Sequence, residues 1–241
     1  MIFSQKCYGV SIDNVTALMY NYYKDKLEYN RISFCDNRET KMGNIIAFNY
    51  AENDLFSMSN GLTDVLIDYL LISGSELADS ESEKRMIAFL SEKQQCIIGS
   101  GTVGFEIIEM PWHRDSFEAD KSFLLKVIEY ARELTLQESV WDKLWYKPNK
   151  ENIDYALNSF NALINRMTVN DIDDNNLQEW LSDKEKDDPV YCGYPKCPKH
   201  GLLMSFLGCK LCNRPVLKLL KKKQRSDRIV AGDEKWIIKK G

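Results

Sequence analysis

Residues 197–212, CPKHGLLMSFLGCKLC, decide the fold of the C-terminal part of this chain. Cys197 and His200 form a Cys-x2-His pair, and Cys209 and Cys212 form a Cys-x2-Cys pair after eight intervening residues. Such spacing lets both side chains of a pair reach one ion, and four ligands of this kind complete the tetrahedral shell of a structural zinc site. The sequence therefore predicts a zinc-ribbon module that binds one Zn²⁺ ion.

The sequence offers two candidates for the fourth ligand. Cys192 lies five residues before Cys197, so a four-cysteine site without His200 is the alternative to the site that includes His200, which we favour. In either case four protein ligands leave no coordination position for water or substrate. We therefore expect the zinc ion to fold its surroundings and to take no part in catalysis.

Charge divides the chain into an acidic and a basic part. From Lys196 onward there are 13 lysine or arginine and three acidic residues, a balance of +10, so the net charge of −4 leaves −14 for residues 1–195. The length suits one ordinary domain with a small appended module. We predict an acidic α+β body over 1–169, an acidic linker or short helix over 170–189, and a basic zinc-ribbon module over 190–241.

Apolar residues recur at helical spacing in three segments of the body. We predict helices over 62–70, 124–134 and 153–167. For the first we expect Asn60 as the N-cap and Gly74 as the stop. For the second we expect a capping box from Asp115 to Glu118.

Extended segments lie between the helices. We predict strands over 2–12, 32–35, 44–50 and 96–110. Because helices and strands do not alternate regularly, the pattern favours a mixed α+β body over a doubly wound sheet.

Cysteine usage and hydropathy indicate the compartment. The seven cysteines are an odd number, and four of them have metal-ligand spacing, which fits a reducing cytosol better than a disulfide framework. No basic segment followed by an apolar stretch is evident near the N-terminus, and the apolar run 65–72 is interrupted by Asp68. We expect a cytoplasmic protein without membrane association.

Two patterns in the body resemble sites of chemistry. Gly99, Gly101 and Gly104 match a dinucleotide-binding fingerprint, but the residues that follow read as a strand and not as a helix N-terminus. His113 is the only histidine of the body, and no nucleophile or metal ligand lies at a suitable spacing. We expect no catalytic residue, and hence no enzyme.

Three carboxylates near His113 have a structural interpretation. Asp115, Glu118 and Asp120 could form a metal or acid–base set, but they fall near the first turn of the predicted helix. Negative charge is favoured there by the helix dipole.

Residues 111–125, PWHRDSFEADKSFLL, and the helix over 152–166 together resemble bacterial immunity proteins of polymorphic toxin and contact-dependent growth inhibition systems. The resemblance covers the middle third of the chain and implies a protein that binds a cognate toxin in the cytosol and blocks it. The family has no catalytic residues. A zinc ribbon is a departure from its pattern.

The charge of the body agrees with such a role. Many of these toxins attack nucleic acid with a basic active face, which attracts an acidic inhibitor. We expect the body to supply the contact through its carboxylates and through five aromatic residues. These are Tyr22, Tyr23, Trp141, Trp145 and Trp180.

The alternative function assigns recognition to the tail. A zinc ribbon beside a cationic strip can neutralise phosphates, which would make the protein a nucleic-acid-binding or regulatory protein. The strip consists of Lys218, Lys221, Lys222, Lys223, Arg225 and Arg228. Leucines alternate with these charges, so the strip could instead form an amphipathic helix on the acidic body.

Overall fold

The structure, a computed structural model, describes residues 45–49, 55–93, 104–144, 146–186, 188–206 and 208–212. The predictions for 2–12, 32–35, Tyr22, Tyr23, Trp145 and the strip over 218–228 lie outside the described residues. The described part is a helical body with a small three-stranded sheet, which confirms the predicted α+β class.

The sheet is mixed. Its central strand β1 (Ile45–Ala47) is antiparallel to β2 (Leu55–Ser57) and parallel to β3 (Phe105–Glu106). Ile46 pairs with Phe105 across the parallel ladder, and both side chains are buried. The predictions for 44–50 and 96–110 are thus confirmed where these strands lie.

Gly104 brings β3 against β1. A Cβ atom at this position would collide with the carbonyl oxygen of Ile45, so the strands require glycine here. The chain then passes through β3 into a 3-10 turn, Ile107–Glu109, and not into a helix that could bind a pyrophosphate. The strand predicted up to residue 110 is therefore shorter than expected.

The helices pack around a central one. They are α1 (Asn60–Leu77), α2 (Glu81–Lys93), α3 (Phe117–Leu134), α4 (Glu138–Leu144), α5 (Lys150–Arg166) and α6 (Asp174–Ser182). α1 packs against α2, α3 and α5, and it is buried continuously from Leu66 to Ser75. Among the described residues, no helix combines the length and apolar character that crossing a membrane would require.

The predicted boundaries of α1 were wrong. Ser59, not Asn60, is the N-cap, and its hydroxyl accepts a hydrogen bond from the Leu62 amide at 3.2 Å. Gly74 lies inside the helix, where a Cβ atom would collide with Ile87 of α2. A glycine that permits two helices to approach was thus mistaken for a helix stop.

The start predicted for α3 was also wrong. Asp115 lies inside a 3-10 turn, Arg114–Ser116, and α3 begins directly after this turn. Glu118 is exposed, whereas Asp120 is fully buried and accepts a hydrogen bond from the Ser116 hydroxyl at 2.7 Å. This carboxylate therefore belongs to the packing of the helix start.

The acidic segment after residue 169 forms α6, which packs against α2. The Trp180 indole donates to the Glu92 carboxylate at 3.0 Å, and Nζ of Lys184 lies 2.6 Å from the same oxygen. Trp180 is 9% exposed, so it belongs to the core and not to a binding surface. Its predicted role as a contact residue is wrong.

Candidate metal centre

Cys197 and His200 lie in a tight turn closed by backbone hydrogen bonds. The Cys197 amide donates to the Leu202 carbonyl at 2.7 Å, and the Gly201 amide donates to the Cys197 carbonyl at 2.8 Å. Gly201 has a φ of +71°, a left-handed conformation that residues with a Cβ rarely adopt. The turn brings the His200 ring within 3.7 Å of the Cys197 sulfur.

A second turn precedes Cys209. The Gly208 amide donates to the Ser205 carbonyl at 2.7 Å, and the two residues form an isolated antiparallel bridge. A second such bridge joins Lys196 to Leu203. Short bridges thus support both ligand pairs where a ribbon would have longer strands. We call residues 195–212 the metal-binding segment.

The four predicted side chains converge at one point. Nδ1 of His200 lies 3.4 Å from Sγ of Cys209 and 3.3 Å from Sγ of Cys212. The sulfur atoms of Cys197 and Cys212 are 3.8 Å apart. All four ligand atoms lie within 4.8 Å of one another, so the group can hold a metal ion.

The separations fit a tetrahedral shell. With Zn–S bonds of about 2.3 Å and a Zn–N bond of about 2.05 Å, tetrahedral angles place two sulfurs about 3.8 Å apart and a sulfur and a nitrogen about 3.6 Å apart. The Cys197–Cys212 separation of 3.8 Å is far longer than a disulfide bond of about 2.05 Å. The geometry is therefore that of ligands around a common centre.

Cys192, the alternative ligand, is placed differently. It is exposed, and it is not a member of the group that converges. Within the described residues, this group is also the only set of three or more cysteine, histidine or acidic side chains close enough to hold a metal.

Burial shifts the pKa values of a thiol and of the imidazole of the site in opposite directions. Burial raises the pKa of the Cys209 thiol to about 12, and the neighbouring Cys197 thiol adds to the increase. Burial lowers the pKa of His200, and the positive charges of Lys199 and Lys143 lower it further. Neutral imidazole is the form that binds a metal, whereas a thiol must first lose its proton. A divalent ion would supply the positive charge that stabilises the thiolates.

The metal-binding segment docks on one face of α1. Nζ of Lys210 lies 3.5 Å from Oδ1 of Asp68 and 3.6 Å from Oδ1 of Asp64. The Leu203 amide donates to the Ser75 hydroxyl at 2.9 Å. Positions 64, 68 and 75 lie on the same face of a helix, so these polar side chains form one continuous contact surface.

Sequence reasoning missed this contact. Asp68 is 2% exposed, and its second carboxylate oxygen accepts a hydrogen bond from the Tyr146 hydroxyl at 2.9 Å. Burial raises the pKa of the Tyr146 phenol, which keeps it protonated as a donor. The available signal was a carboxylate within the apolar run 65–72, because a buried charge requires polar partners.

His113 lies apart from any described metal-ligand group. Its Nδ1 accepts a hydrogen bond from the Asp115 amide at 3.3 Å, and the side chain is 48% exposed. The adjacent Trp112 is buried and donates to the Ile107 carbonyl at 2.7 Å. The contacts shown for both residues therefore belong to the turn before α3.

Comparison with protein-family models, with curated proteins and with solved structures gave no match for this chain. The metal-binding segment and the surface of the body are therefore the features from which a function can be inferred.

Proposed function

We propose that Cys197, His200, Cys209 and Cys212 bind one structural zinc ion. Three thiolates and one imidazole are ligands that zinc prefers, whereas calcium and magnesium require oxygen ligands. The separations of the ligand atoms support a tetrahedral shell with no open position. The ion would therefore fold the segment and would not activate water or substrate.

The purified protein is expected to contain one zinc ion per chain, because the closed shell binds a single ion. Cobalt should replace zinc and give the visible absorption bands of a tetrahedral, thiolate-bound ion. Elemental analysis and cobalt titration provide these measurements. A protein that contains no zinc and binds cobalt only through water and oxygen ligands would exclude the site.

We further propose that the protein is a cytoplasmic immunity protein that binds a cognate bacterial toxin and covers its active face. This proposal extends the resemblance of residues 111–125 and 152–166 to such proteins. The observation that carries it is the distribution of charge on the body, because a toxin that acts on nucleic acid needs a basic face.

Two lysines, Lys121 and Lys184, are engaged in internal contacts, while several carboxylates on α3 and α4 face solvent. Nζ of Lys121 lies 2.8 Å from the Asn165 carbonyl and 2.7 Å from the Met167 carbonyl. Lys184 pairs with the buried Glu92. Exposed carboxylates on α3 and α4 are Glu118, Glu129, Glu133, Glu138 and Asp142. This arrangement leaves an acidic surface that supports fast capture of a basic partner.

Slow release requires apolar anchors, and the candidates differ from those expected. Trp141 is partly buried. Its indole donates a hydrogen bond to the Thr135 carbonyl at 2.9 Å, and the Lys147 ammonium group lies over its ring, so both contacts engage it internally. Tyr155 on α5 is 54% exposed, and Tyr191 is 53% exposed. We propose that Tyr155 is an anchor on the body.

Charge reversal on α3 should slow capture of the toxin. With Glu129 and Glu133 both changed to lysine, we expect the association rate at low salt to fall about tenfold, because electrostatic steering is lost. Lys126→Glu on the same helix is the matched control and should raise the rate. Surface plasmon resonance would measure both rates with the toxin domain, which the proposal expects to be encoded immediately upstream.

The anchor is tested in the same assay. Tyr155→Ala should raise the dissociation rate with little change in association. An association rate insensitive to both charge changes, or an acidic toxin surface, would contradict the proposal. Tight binding of nucleic acid at physiological ionic strength would favour the zinc-ribbon nucleic-acid-binding alternative.

A further inference from the structure

Lys210 connects the metal-binding segment to α1. It lies between Cys209 and Cys212, and its side chain is 11% exposed. Its ammonium group contacts Asp68, which is buried in the central helix α1. The second ligand pair of the metal site thus inserts a positive charge into the interior of the body.

The buried carboxylate depends on this kind of partner. Removing a carboxylate from water is unfavourable unless hydrogen bonds and an opposite charge compensate. Asp68 has the Tyr146 hydroxyl on one oxygen and the Lys210 ammonium group near the other. Displacement of the metal-binding segment would leave the carboxylate without this cation, and it would also separate Leu203 from Ser75 on the same face of α1.

We infer that metal binding is coupled to the packing of α1, so that loss of the metal loosens the core of the body as well as the metal-binding segment. This inference rests on the proposed metal site. A short segment of this kind is usually unfolded without its ion, so the ion fixes the position of Lys210 and Leu203. Because coupling between two sites is reciprocal, α1 in turn strengthens metal binding.

Asp68→Asn separates this coupling from simple electrostatics. Zinc binding that displaces three thiol protons changes the charge of the site from zero to −1. Removal of a nearby carboxylate would therefore strengthen metal binding if only long-range charge effects operated. The coupling requires the opposite, since the variant loses the buried one of the two carboxylates that hold Lys210. The sign of the change in affinity therefore distinguishes the two explanations.

Chelator competition with zinc is the first experiment. We expect Asp68→Asn and Lys210→Met each to weaken zinc binding about tenfold, within the usual range of coupling between sites. The double variant should bind zinc no more weakly than Lys210→Met alone, because Lys210→Met already removes the contact with Asp68. Lys196→Met is the matched control, since this exposed lysine is adjacent to Cys197 just as Lys210 is adjacent to Cys209. The zinc affinity of this variant should stay unchanged.

Hydrogen exchange of the unmodified chain is the second experiment and needs no variant to fold. Removal of zinc should increase amide exchange in Leu66–Ser75 as well as in the metal-binding segment. Zinc binding with unchanged exchange in α1, and with affinity unchanged or increased in Asp68→Asn, would overturn the coupling and leave the zinc proposal intact. A chain that binds no zinc would overturn both.

Discussion

Replacement of Cys209 by serine is expected to abolish zinc binding and to unfold the metal-binding segment. Cys209 is a buried member of the converging group, and its sulfur lies 3.4 Å from Nδ1 of His200. Structural zinc sites have apparent binding free energies of about 10–16 kcal/mol, and this energy is also folding energy. The loss of zinc affinity should therefore far exceed the change of about 10- to 100-fold that follows when a residue hydrogen-bonded to a metal ligand is replaced.

Cys192→Ser is the matched control for this experiment. Cys192 is exposed and does not belong to the converging group, so its replacement should leave zinc content and affinity unchanged. Elemental analysis after gel filtration and chelator competition would compare the two variants. A Cys209→Ser chain with full zinc content, or a Cys192→Ser chain that loses its zinc, would require a different ligand set.

Replacement of Lys184 by methionine is expected to lower the free energy of unfolding by about 3–5 kcal/mol, as when one partner of a buried ion pair is removed. Nζ of Lys184 lies 2.6 Å from Oε2 of Glu92, and the two side chains are 9% and 14% exposed. Methionine fills much of the space but leaves the carboxylate without the ammonium group. Urea unfolding would measure the loss, and the exposed Lys186→Met should change stability by less than about 0.5 kcal/mol.

This loss should depend on pH. Burial raises the pKa of Glu92, and removal of Lys184 is expected to raise it further. A carboxyl group with a higher pKa in the folded state favours folding when protonated, so the Lys184→Met chain should lose stability as pH rises through that pKa and regain it at acidic pH. Adding Glu92→Leu should recover most of the loss. A deficit that is equal at all pH values would contradict this account.

Local patterns predicted the features that depend on local spacing. The apolar stripe over 153–167 predicted α5, and the spacing of the cysteine and histidine residues predicted which side chains converge. A further local signal was available for the start of α2. In the structure, Glu83 accepts hydrogen bonds from the amides of Asp79 and Ser80 at 2.9 Å. Ser80 and Glu83 have the spacing of a capping box, which marks the start of a helix.

Features that depend on tertiary packing were not predictable in this way. Trp180 resembles a surface anchor in the sequence, but contact with Glu92 places it inside. In the sequence, Gly74 resembles a helix stop. Only the packing of Ile87 against it explains why a glycine lies inside the helix. The cationic partner of Asp68, Lys210, lies more than a hundred residues along the chain, and no local pattern connects the two.

The hydrogen bond between Leu203 and Ser75 also has a consequence for synthesis on the ribosome, since it spans 128 residues. A growing chain emerges from its N-terminal end, so α1 leaves the exit tunnel long before the segment that covers its polar face. Contacts of such long range also slow the final folding step. During this interval α1 lacks the segment that covers its polar face, and this contact can form only after translation has passed Lys210.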